Sequence, residues 1–182
     1  MIRFQRITTA DAALYGYMER LMQASFPAEE YRDLAQLRLY TDARPQFCNN
    51  VILLDEVPVG LFTYWDFGDF LYAEHFAVDP ARRNGGVGRD ALRQWCAGAG
   101  RPVVLEVEMP EDEMARRRVG FYERQGFSLW PNDYEQPPYR QGDGYLPMRL
   151  MAYGGLDSQK DYDRVVARIY SDVYGVPVCG PR

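Results

Sequence analysis

The spacing of hydrophobic side chains changes several times along the first half of the chain, and each change predicts a new element. Residues 2–7 alternate apolar and polar side chains, which is typical of a half-buried strand. Apolar side chains then recur at helical spacing, which predicts one helix as far as Ser25 and, after a proline, a second over 31–42. Two strand-like runs on either side of Asp55-Glu56 predict a hairpin.

The middle of the sequence predicts a strand covered on both faces, followed by an amphipathic helix. Residues 70–78 are largely apolar at both odd and even positions, a pattern that favours the centre of a sheet. From Val87 the apolar residues recur with the helical period. An apolar strand over 102–108 and a helix over 112–124, with acidic residues in its first turn, come next.

The last third predicts a long loop, a strand and a final helix. Residues 131–144 contain three prolines and two glycines, which predicts a loop without regular structure, and loops of that length are often functional. A strand over 145–151 and an amphipathic helix over 158–173 follow. We therefore expect one domain over 1–155, with a C-terminal helix and tail over 156–182 that pack on this domain or on the partner subunit of a homodimer.

Composition narrows the class of protein. The chain has 182 residues, 47% hydrophobic and 26% charged, which suits one sizeable core, and the irregular order of helices and strands predicts an α+β fold. A net charge of −5 argues against nucleic-acid binding, and no stretch is apolar enough for a signal peptide or a membrane span, so we expect a cytoplasmic protein. Three widely separated cysteines and a single histidine argue against a metal site.

The segment RRNGGVGR, residues 82–89, joins the central strand to the helix that begins at Val87. The first turn of a helix presents unpaired N–H groups and the positive end of the helix dipole, and glycines let an anion approach the backbone. Arg83 and Arg89 can add charge-assisted hydrogen bonds. We therefore predict that this turn binds a phosphate group.

The spacing within this turn argues against two common nucleotide sites. A Walker P-loop requires lysine and then serine or threonine after its last glycine, whereas Arg89-Asp90 follow Gly88. The dinucleotide fingerprint G-x-G-x-x-G also fails, since no glycine follows Gly88 at the required spacing. The pattern that does fit is R-x-x-G-x-G, filled by Arg83, Gly86 and Gly88.

This pattern resembles the pyrophosphate-binding turn of the GCN5-related N-acetyltransferase (GNAT) family. The segments AVDPARRNGGVGRDAL, VVLEVE and FYERQGF are similar, in the same order, to the strand-turn-helix unit of the family, its next strand and its following helix end. The resemblance implies a mixed, mostly antiparallel central sheet flanked by helices. It also implies an N-acetyltransferase that uses acetyl-CoA, releases CoA and acetylates an amine of a small molecule or peptide by direct transfer in a ternary complex.

The resemblance further implies which residues hold acetyl-CoA. The expected phosphate-binding groups belong to the turn, namely Arg83, Asn84, Gly85, Gly86, Val87, Gly88 and Arg89. The end of the preceding strand, Phe76, Ala77 and Val78, is expected to pair with the pantetheine amides as an added strand would. One of these N–H groups would polarise the thioester carbonyl.

Acetyl transfer to an amine needs a base for the amine and an acid for the departing thiolate. In the family the tyrosine at the position of the FYERQGF motif commonly lies near the CoA sulfur, so the resemblance implies that Tyr122 is the acid. The alternative is that Tyr122 is only an aromatic residue of the core. Glu74 lies within an apolar strand and is the first candidate base, because burial is expected to raise its pKa. The alternative is that Glu74 is a structural partner of an arginine or a tyrosine. Glu106 is the second candidate, and Glu108, two residues further along the same strand face, is a competing choice. Simple alternation places His75, the single histidine, on the opposite sheet face from Glu74, which makes it the weaker choice.

The acceptor side is expected to involve the 131–144 loop. Tyr134, Tyr139 and Glu135 of this loop could hold a cationic amine by charge and cation–π contact, the alternative being a solvated loop. A function of another class is a non-catalytic acyl-CoA-binding or protein-interaction module, in which this loop, the acidic surface and the C-terminal helix would carry the activity.

Overall fold

A computed structural model describes residues 1–140 and 142–177 of the chain. The helices are α1 (Ala12–Ser25), α2 (Leu34–Ala43), α3 (Val87–Ala99), α4 (Glu113–Glu123) and α5 (Tyr162–Ile169), which continues as a π turn (Tyr170–Tyr174). The strands are β1 (Ile2–Arg6), β2 (Phe47–Leu54), β3 (Val57–Asp66), β4 (Leu71–Val78), β5 (Val103–Glu108), β6 (Ser128–Leu129), β7 (Tyr134–Gln136) and β8 (Leu146–Tyr153).

In the described parts of the chain the strands form a single mixed sheet. Its order is β1-β2-β3-β4-β5-β8-β6, with β7 also paired to β8. The pair β4 and β5 is parallel, and the other neighbouring pairs are antiparallel. The predicted α+β class with a mostly antiparallel sheet is therefore confirmed, and the apolar run over 70–78 forms a central strand as expected.

The parallel pair β4 and β5 stays together over only three residues of each strand. Leu71–Ala73 lie opposite Val103–Leu105, and beyond this point the two strands continue without pairing to each other in the described structure. Because β4 stays paired to β3, and β5 to β8, the two halves of the sheet separate here. This divergence opens the cleft that holds the candidate site.

A β-bulge in β4 lies at the point where the cleft begins. Tyr64 of β3 is opposite Ala73 and Thr63 is opposite His75, so Glu74 is the extra residue between them. A bulge resets the alternation of side chains along a strand. Tyr72 and Ala77, five residues apart, accordingly lie in the same core cluster.

Helices cover both faces of the sheet and bury one core cluster on each. Helices α1, α2 and α5 pack on one face, and α3 and α4 on the other. The periodicity predicted for the final helix is visible in the buried side chains of Val165 and Ile169, which are four residues apart. Burial of each side chain contributes about 1.5–3 kcal/mol to the stability of the folded protein. The C-terminal helix thus packs on the core of its own chain.

The 131–144 segment differs from its prediction because it contains a strand. Tyr134–Gln136 form β7, in which Tyr134 and Gln136 are buried and Glu135 between them is exposed. Pro137-Pro138 follow directly, so the prolines that argued against regular structure limit the strand rather than prevent it. Among the described residues, no helix combines the length and the apolar character needed to cross a membrane.

Candidate active site

The cleft between β4 and β5 leads into a cavity of about 840 Å³. Its walls come from the end of α1 and the segment after it, the unpaired part of β4, the 82–89 turn, β5, α4, the end of β7 with the loop after it, and the start of β8. Gly85 is the one residue of the turn that is not among the lining residues. A cavity of this volume suits a small-molecule or cofactor-sized ligand. Most of the residues singled out in the sequence therefore line one space, although their chain positions span more than 60 residues.

The 82–89 turn forms one end of the cavity with the N-terminus of α3. Gly86 is the N-cap of α3 and has a φ of +79°, a conformation that glycine adopts without strain. The Asp90 N–H donates to the Gly86 carbonyl at 3.0 Å, so the N–H groups of Val87, Gly88 and Arg89 precede the first intrahelical bond. Within the described residues these N–H groups have no backbone partner, and their position at the positive end of the helix dipole fits an anionic group.

The glycines and Arg83 bring the start of α3 close to the end of β4. A Cβ atom at Gly88 would lie 3.3 Å from Cγ2 of Val78, which is tighter than an ordinary contact. Arg83 Nε donates to the Val78 carbonyl at 3.0 Å. The turn and the open edge of β4 therefore form one continuous surface, which fits a ligand with a phosphate group at one end and amide groups along its length. Arg89 is turned toward the neighbouring Asp90, with Nε and Oδ1 2.8 Å apart.

Glu106 on β5 is half-buried, and its carboxylate is held by neutral donors. It accepts hydrogen bonds from Tyr134 Oη, from Gln136 Nε2 at 2.6 Å and from Tyr174 Oη at 2.9 Å. In the described chain no arginine or lysine forms an ion pair with it. Burial raises the pKa of the Glu106 carboxyl above its ordinary value, although the tyrosine hydroxyls act in the opposite direction. A carboxylate of raised basicity at the wall of a cavity is suited to accept a proton.

Glu74 has a different environment, and its expected raised pKa is corrected. Its carboxylate forms a two-point ion pair with Arg32, at 2.6 and 3.1 Å, and accepts from Trp65 Nε1 at 3.0 Å and Tyr139 Oη at 2.9 Å. Burial is the largest single effect and would raise the pKa of Glu74, but the charge and hydrogen bonds of Arg32, together with smaller effects of its neighbours, hold this pKa below its ordinary value. Glu74 also lines the cavity, but its contacts with an arginine and a tyrosine are those expected of a structural role rather than of a catalytic base.

The prediction that His75 and Glu74 lie on opposite faces of the sheet is wrong. The bulge at Glu74 places both on the same side, with His75 Nδ1 3.9 Å from Glu74 Oε2. His75 Nε2 lies 2.9 Å from the Glu30 carbonyl and therefore carries the proton, while Nδ1 faces Thr63 Oγ1 at 3.1 Å. Burial lowers the pKa of His75, so the ring is neutral and both nitrogens are occupied.

Tyr122 on α4 lines the cavity with its hydroxyl free of protein partners among residues 1–140 and 142–177. Its ring packs edge-on against Phe121 and Phe127, with centroids 5.3 and 5.6 Å away. Burial raises the pKa of Tyr122 to about 12, so the phenol stays protonated throughout the neutral range. The side chain is thus both fixed by packing and available as a hydrogen-bond donor to a bound ligand.

A family model described as the acetyltransferase (GNAT) family matches residues 12–127, more than half of the chain. The chain belongs to the GNAT family. This confirms the resemblance drawn from the glycine turn and the two segments that follow it. Acetyl-CoA is the acetyl donor that proteins of this family use.

Solved structures agree with this membership. A protein from Bacteroides thetaiotaomicron assigned to the GNAT acetyltransferases is 54% identical, with a TM-score of 0.94 over 96% of this chain and 99% of its own. A chimera of the spermidine N-acetyltransferase SpeG from Vibrio cholerae and hSSAT is 14% identical, with a TM-score of 0.62 over 84% of this chain and 94% of its own. Naa50 from Arabidopsis thaliana, in complex with the bisubstrate analogue CoA-Ac-MVNAL, is 16% identical, with a TM-score of 0.58 over 85% and 99%. The last two show the fold alone. No curated protein matches the sequence.

In this GNAT protein the three predicted acceptor residues have different positions. Tyr139 lines the cavity and donates to Glu74. Tyr134 is buried behind the cavity wall, where its hydroxyl contacts Glu106 rather than open space. Glu135 points to the outer side of β7 and is exposed, because alternation along the strand turns it away from Tyr134 and Gln136. The structure therefore places Glu135 outside the candidate site.

Several residues of the site were not found from the sequence of this GNAT protein. Arg32 in the α1–α2 connection and Tyr174 in the π turn contact the two candidate carboxylates. Glu30, which was also not predicted, lines the cavity. The competing candidate Glu108 lines it too, and its carboxylate pairs with Arg118. The acidic and aromatic character of this end contrasts with the arginines at the turn, but no motif or periodicity in the sequence links Arg32, Tyr174 and Glu30 to it.

Proposed function

We propose that the protein is an acetyl-CoA-dependent N-acetyltransferase that transfers the acetyl group directly to a primary amine of a small molecule or peptide in a ternary complex. One observation carries the proposal: the anion-binding turn at α3, the unpaired end of β4, Tyr122 and Glu106 all line a single cavity. Direct transfer requires the donor and the acceptor to meet in one space, with an acid and a base beside it.

The residues present fit acetyl-CoA, which supplies an activated acetyl thioester when bound. The N–H groups of residues 87–89 would hold the pyrophosphate, and the backbone of Phe76–Val78 would pair with the pantetheine amides. An N–H group of the same strand end would donate to the carbonyl oxygen as negative charge develops there. Arg82 and Arg83 line the phosphate end and add positive charge.

Of the two candidate bases, the contacts favour Glu106. Glu74 is neutralised by Arg32 and uses its oxygens on Trp65 and Tyr139, so accepting a proton would break a buried ion pair. Glu106 has no ion pair among the described residues and a raised pKa. Glu106 would accept one proton from the ammonium form of the acceptor, which leaves the neutral amine with the lone pair that attacks the thioester.

Tyr122 would act at the leaving group. Once the amine nitrogen bonds to the acetyl carbon, the C–S bond breaks and its electron pair stays on sulfur. Tyr122 would donate its phenolic proton to this thiolate and then regain a proton from the nitrogen of the new amide. The products are the acetylated amine and CoA. The proton that Glu106 accepted from the ammonium group is released to water. The raised pKa of Tyr122 keeps it in the donating form before each turnover.

Isothermal titration with acetyl-CoA and with CoA tests the cofactor assignment. Gly86→Glu places a carboxylate where the phosphate is proposed to bind, so this variant should bind neither acetyl-CoA nor CoA. Gly100→Glu is the matched control, because Gly100 also has positive φ but caps the opposite end of α3, about 20 Å away. No binding by the wild type, or equal binding by wild type and Gly86→Glu, would reject the assignment.

Release of free thiol from acetyl-CoA then tests catalysis, with a diamine, an amino sugar and an N-terminal peptide amine as acceptors. Thiol release that depends on one of these amines and on Glu106 supports the proposal. Tight CoA binding with no amine-dependent release in a wide panel of amines would favour the alternative, a non-catalytic acyl-CoA-binding module.

A further inference from the structure

Tyr174, in the π turn that follows α5, contacts the candidate base from outside the part of the chain that matches the family model. Its hydroxyl donates to Glu106 Oε2 at 2.9 Å and accepts from Gln136 Nε2 at 2.8 Å. Gln136 Nε2 also lies 2.6 Å from Glu106 Oε2. The three groups therefore form a closed set of contacts, in which the hydroxyl has one defined donor and one defined acceptor role.

The π turn explains how Tyr174 reaches this position. Ile169, at the end of α5, is fully buried in the core, and Tyr174 comes five residues later. In a π turn the hydrogen bonds join residues five apart, so Tyr174 lies over Ile169 and faces the sheet, whereas in a continuing α-helix it would turn away. Gly175, with a φ of +67°, then ends the turn. The backbone thus departs from a regular helix at the residue that contacts Glu106.

We propose that Tyr174 is a positioning residue for Glu106. The Tyr174 hydroxyl fixes the orientation of the Glu106 carboxylate and favours the ionised form of that carboxylate. The inference rests on the proposed function, in which Glu106 is the base. Gln136 prevents the hydroxyl from rotating, since its N–H occupies the Tyr174 oxygen and leaves the O–H directed at Glu106. A hydrogen bond to the charged form of a carboxyl favours that form, so Tyr174 counteracts part of the effect of burial.

Other titratable groups surround Glu106, and the test must separate them from Tyr174. They are Tyr72 on β4, Tyr134 on β7, Tyr139 in the loop after β7 and Tyr170 in the same π turn, with the Arg32–Glu74 ion pair beyond Tyr139. Tyr72 Oη lies 3.4 Å from Tyr174 Oη, and Tyr170 Oη donates to the Glu135 carbonyl on the exposed side. Tyr170 is therefore a matched control on the same turn.

Infrared difference spectroscopy measures the titration of Glu106 directly and needs no acceptor. The band of the protonated carboxyl that is present in the wild type and absent in Glu106→Gln reports the fraction of Glu106 that is protonated at each pH. Tyr174→Phe removes one oxygen and keeps the ring beside Tyr139, with centroids 5.0 Å apart. We expect this band to persist to higher pH in Tyr174→Phe, by about one pH unit, a tenfold change in the protonation equilibrium. In Tyr170→Phe it should titrate as in the wild type.

Identical titrations of Glu106 in the wild type and in Tyr174→Phe would overturn the inference. So would equal shifts in Tyr174→Phe and Tyr170→Phe, which would indicate a general effect of altering the turn. With an active amine, the acidic limb of kcat/KM should move with the spectroscopic titration. If Glu106→Gln keeps full turnover, the base assignment fails, while the infrared result still decides whether Tyr174 controls Glu106.

Discussion

Arg32 Nη2 lies 2.6 Å from Glu74 Oε1, and both side chains are at most 1% exposed. The guanidinium is also 5.0–5.5 Å from the centroids of four aromatic rings, those of Tyr40, Phe47, Trp65 and Tyr139. Its Nη2 reaches the Val173 carbonyl at 3.5 Å. One side chain thus joins the α1–α2 connection, the bulge of β4, the loop after β7 and the C-terminal turn, all of which surround the candidate site.

Arg32→Met should therefore destabilise the protein strongly. The substitution keeps most of the volume but leaves the Glu74 carboxylate buried without its cation, and breaking a buried pair in this way typically costs about 3–5 kcal/mol. Urea denaturation monitored by tryptophan fluorescence measures the free energy of unfolding. Arg38→Met is the control, because the Arg38–Glu19 pair lies at the surface and should matter little. Similar losses in the two variants would contradict the assignment of Arg32 as the central contact.

Tyr122→Phe should lower kcat while leaving the affinity for acetyl-CoA nearly unchanged. The ring contacts with Phe121 and Phe127 are retained, and only the hydroxyl of this cavity-lining residue is lost. General-acid assistance typically accounts for about 10²–10⁴-fold in rate, so a loss of at least tenfold is expected where protonation limits turnover. Steady-state kinetics combined with isothermal titration measures both quantities. Tyr153→Phe, beside Phe127 but outside the cavity, should behave as the wild type.

The order of elements could be predicted from the sequence because each depends on local periodicity. The hairpin at Asp55-Glu56, the central strand and the helix after the glycine turn follow from patterns within ten to fifteen residues. The chemistry of the R-x-x-G-x-G turn is likewise local, since a positive φ at Gly86 and the start of a helix are properties of that segment.

The candidate site could be predicted only in part, because its chemistry depends on contacts between distant segments. The bulge at Glu74 breaks the alternation on which the positions of Glu74 and His75 were predicted, and a strand that is apolar on both faces gives no sign of it. Arg32 approaches Glu74 from 42 residues away, and Tyr174 approaches Glu106 from 68 residues away. These two contacts separate the environments of the two glutamates, which look equivalent in the sequence.

The two glutamates should affect stability with opposite dependence on pH. The folded pKa of Glu74 lies below the unfolded value of about 4.3, so its contribution is present above that pH and lost as the pH falls. The folded pKa of Glu106 is raised, so its contribution is present at low pH and lost as the pH rises through the folded pKa. Relative to the wild type, Glu74→Gln should therefore lose stability as the pH rises toward about 4.3 and change no further above it, whereas Glu106→Gln should gain stability as the pH rises above about 4.3. Urea denaturation on both sides of this pH measures the two trends, and parallel trends would contradict the assigned environments.

Gly60→Ala should weaken both the fold and acetyl-CoA binding. A Cβ atom at Gly60 on β3 would lie 2.6 Å from the Ala77 carbonyl oxygen and 3.1 Å from Ile52 Cδ1, so the end of β4 must move. Overpacking of this kind costs about 1–3 kcal/mol. Because Ala77 belongs to the strand end proposed to pair with pantetheine, the same shift should reduce affinity for CoA. Gly98→Ala on α3 has open space around it and should instead stabilise by about 0.5–1 kcal/mol, with CoA affinity unchanged. Thermal unfolding and isothermal titration of the two variants distinguish a specific displacement of β4 from a general effect of adding a methyl group.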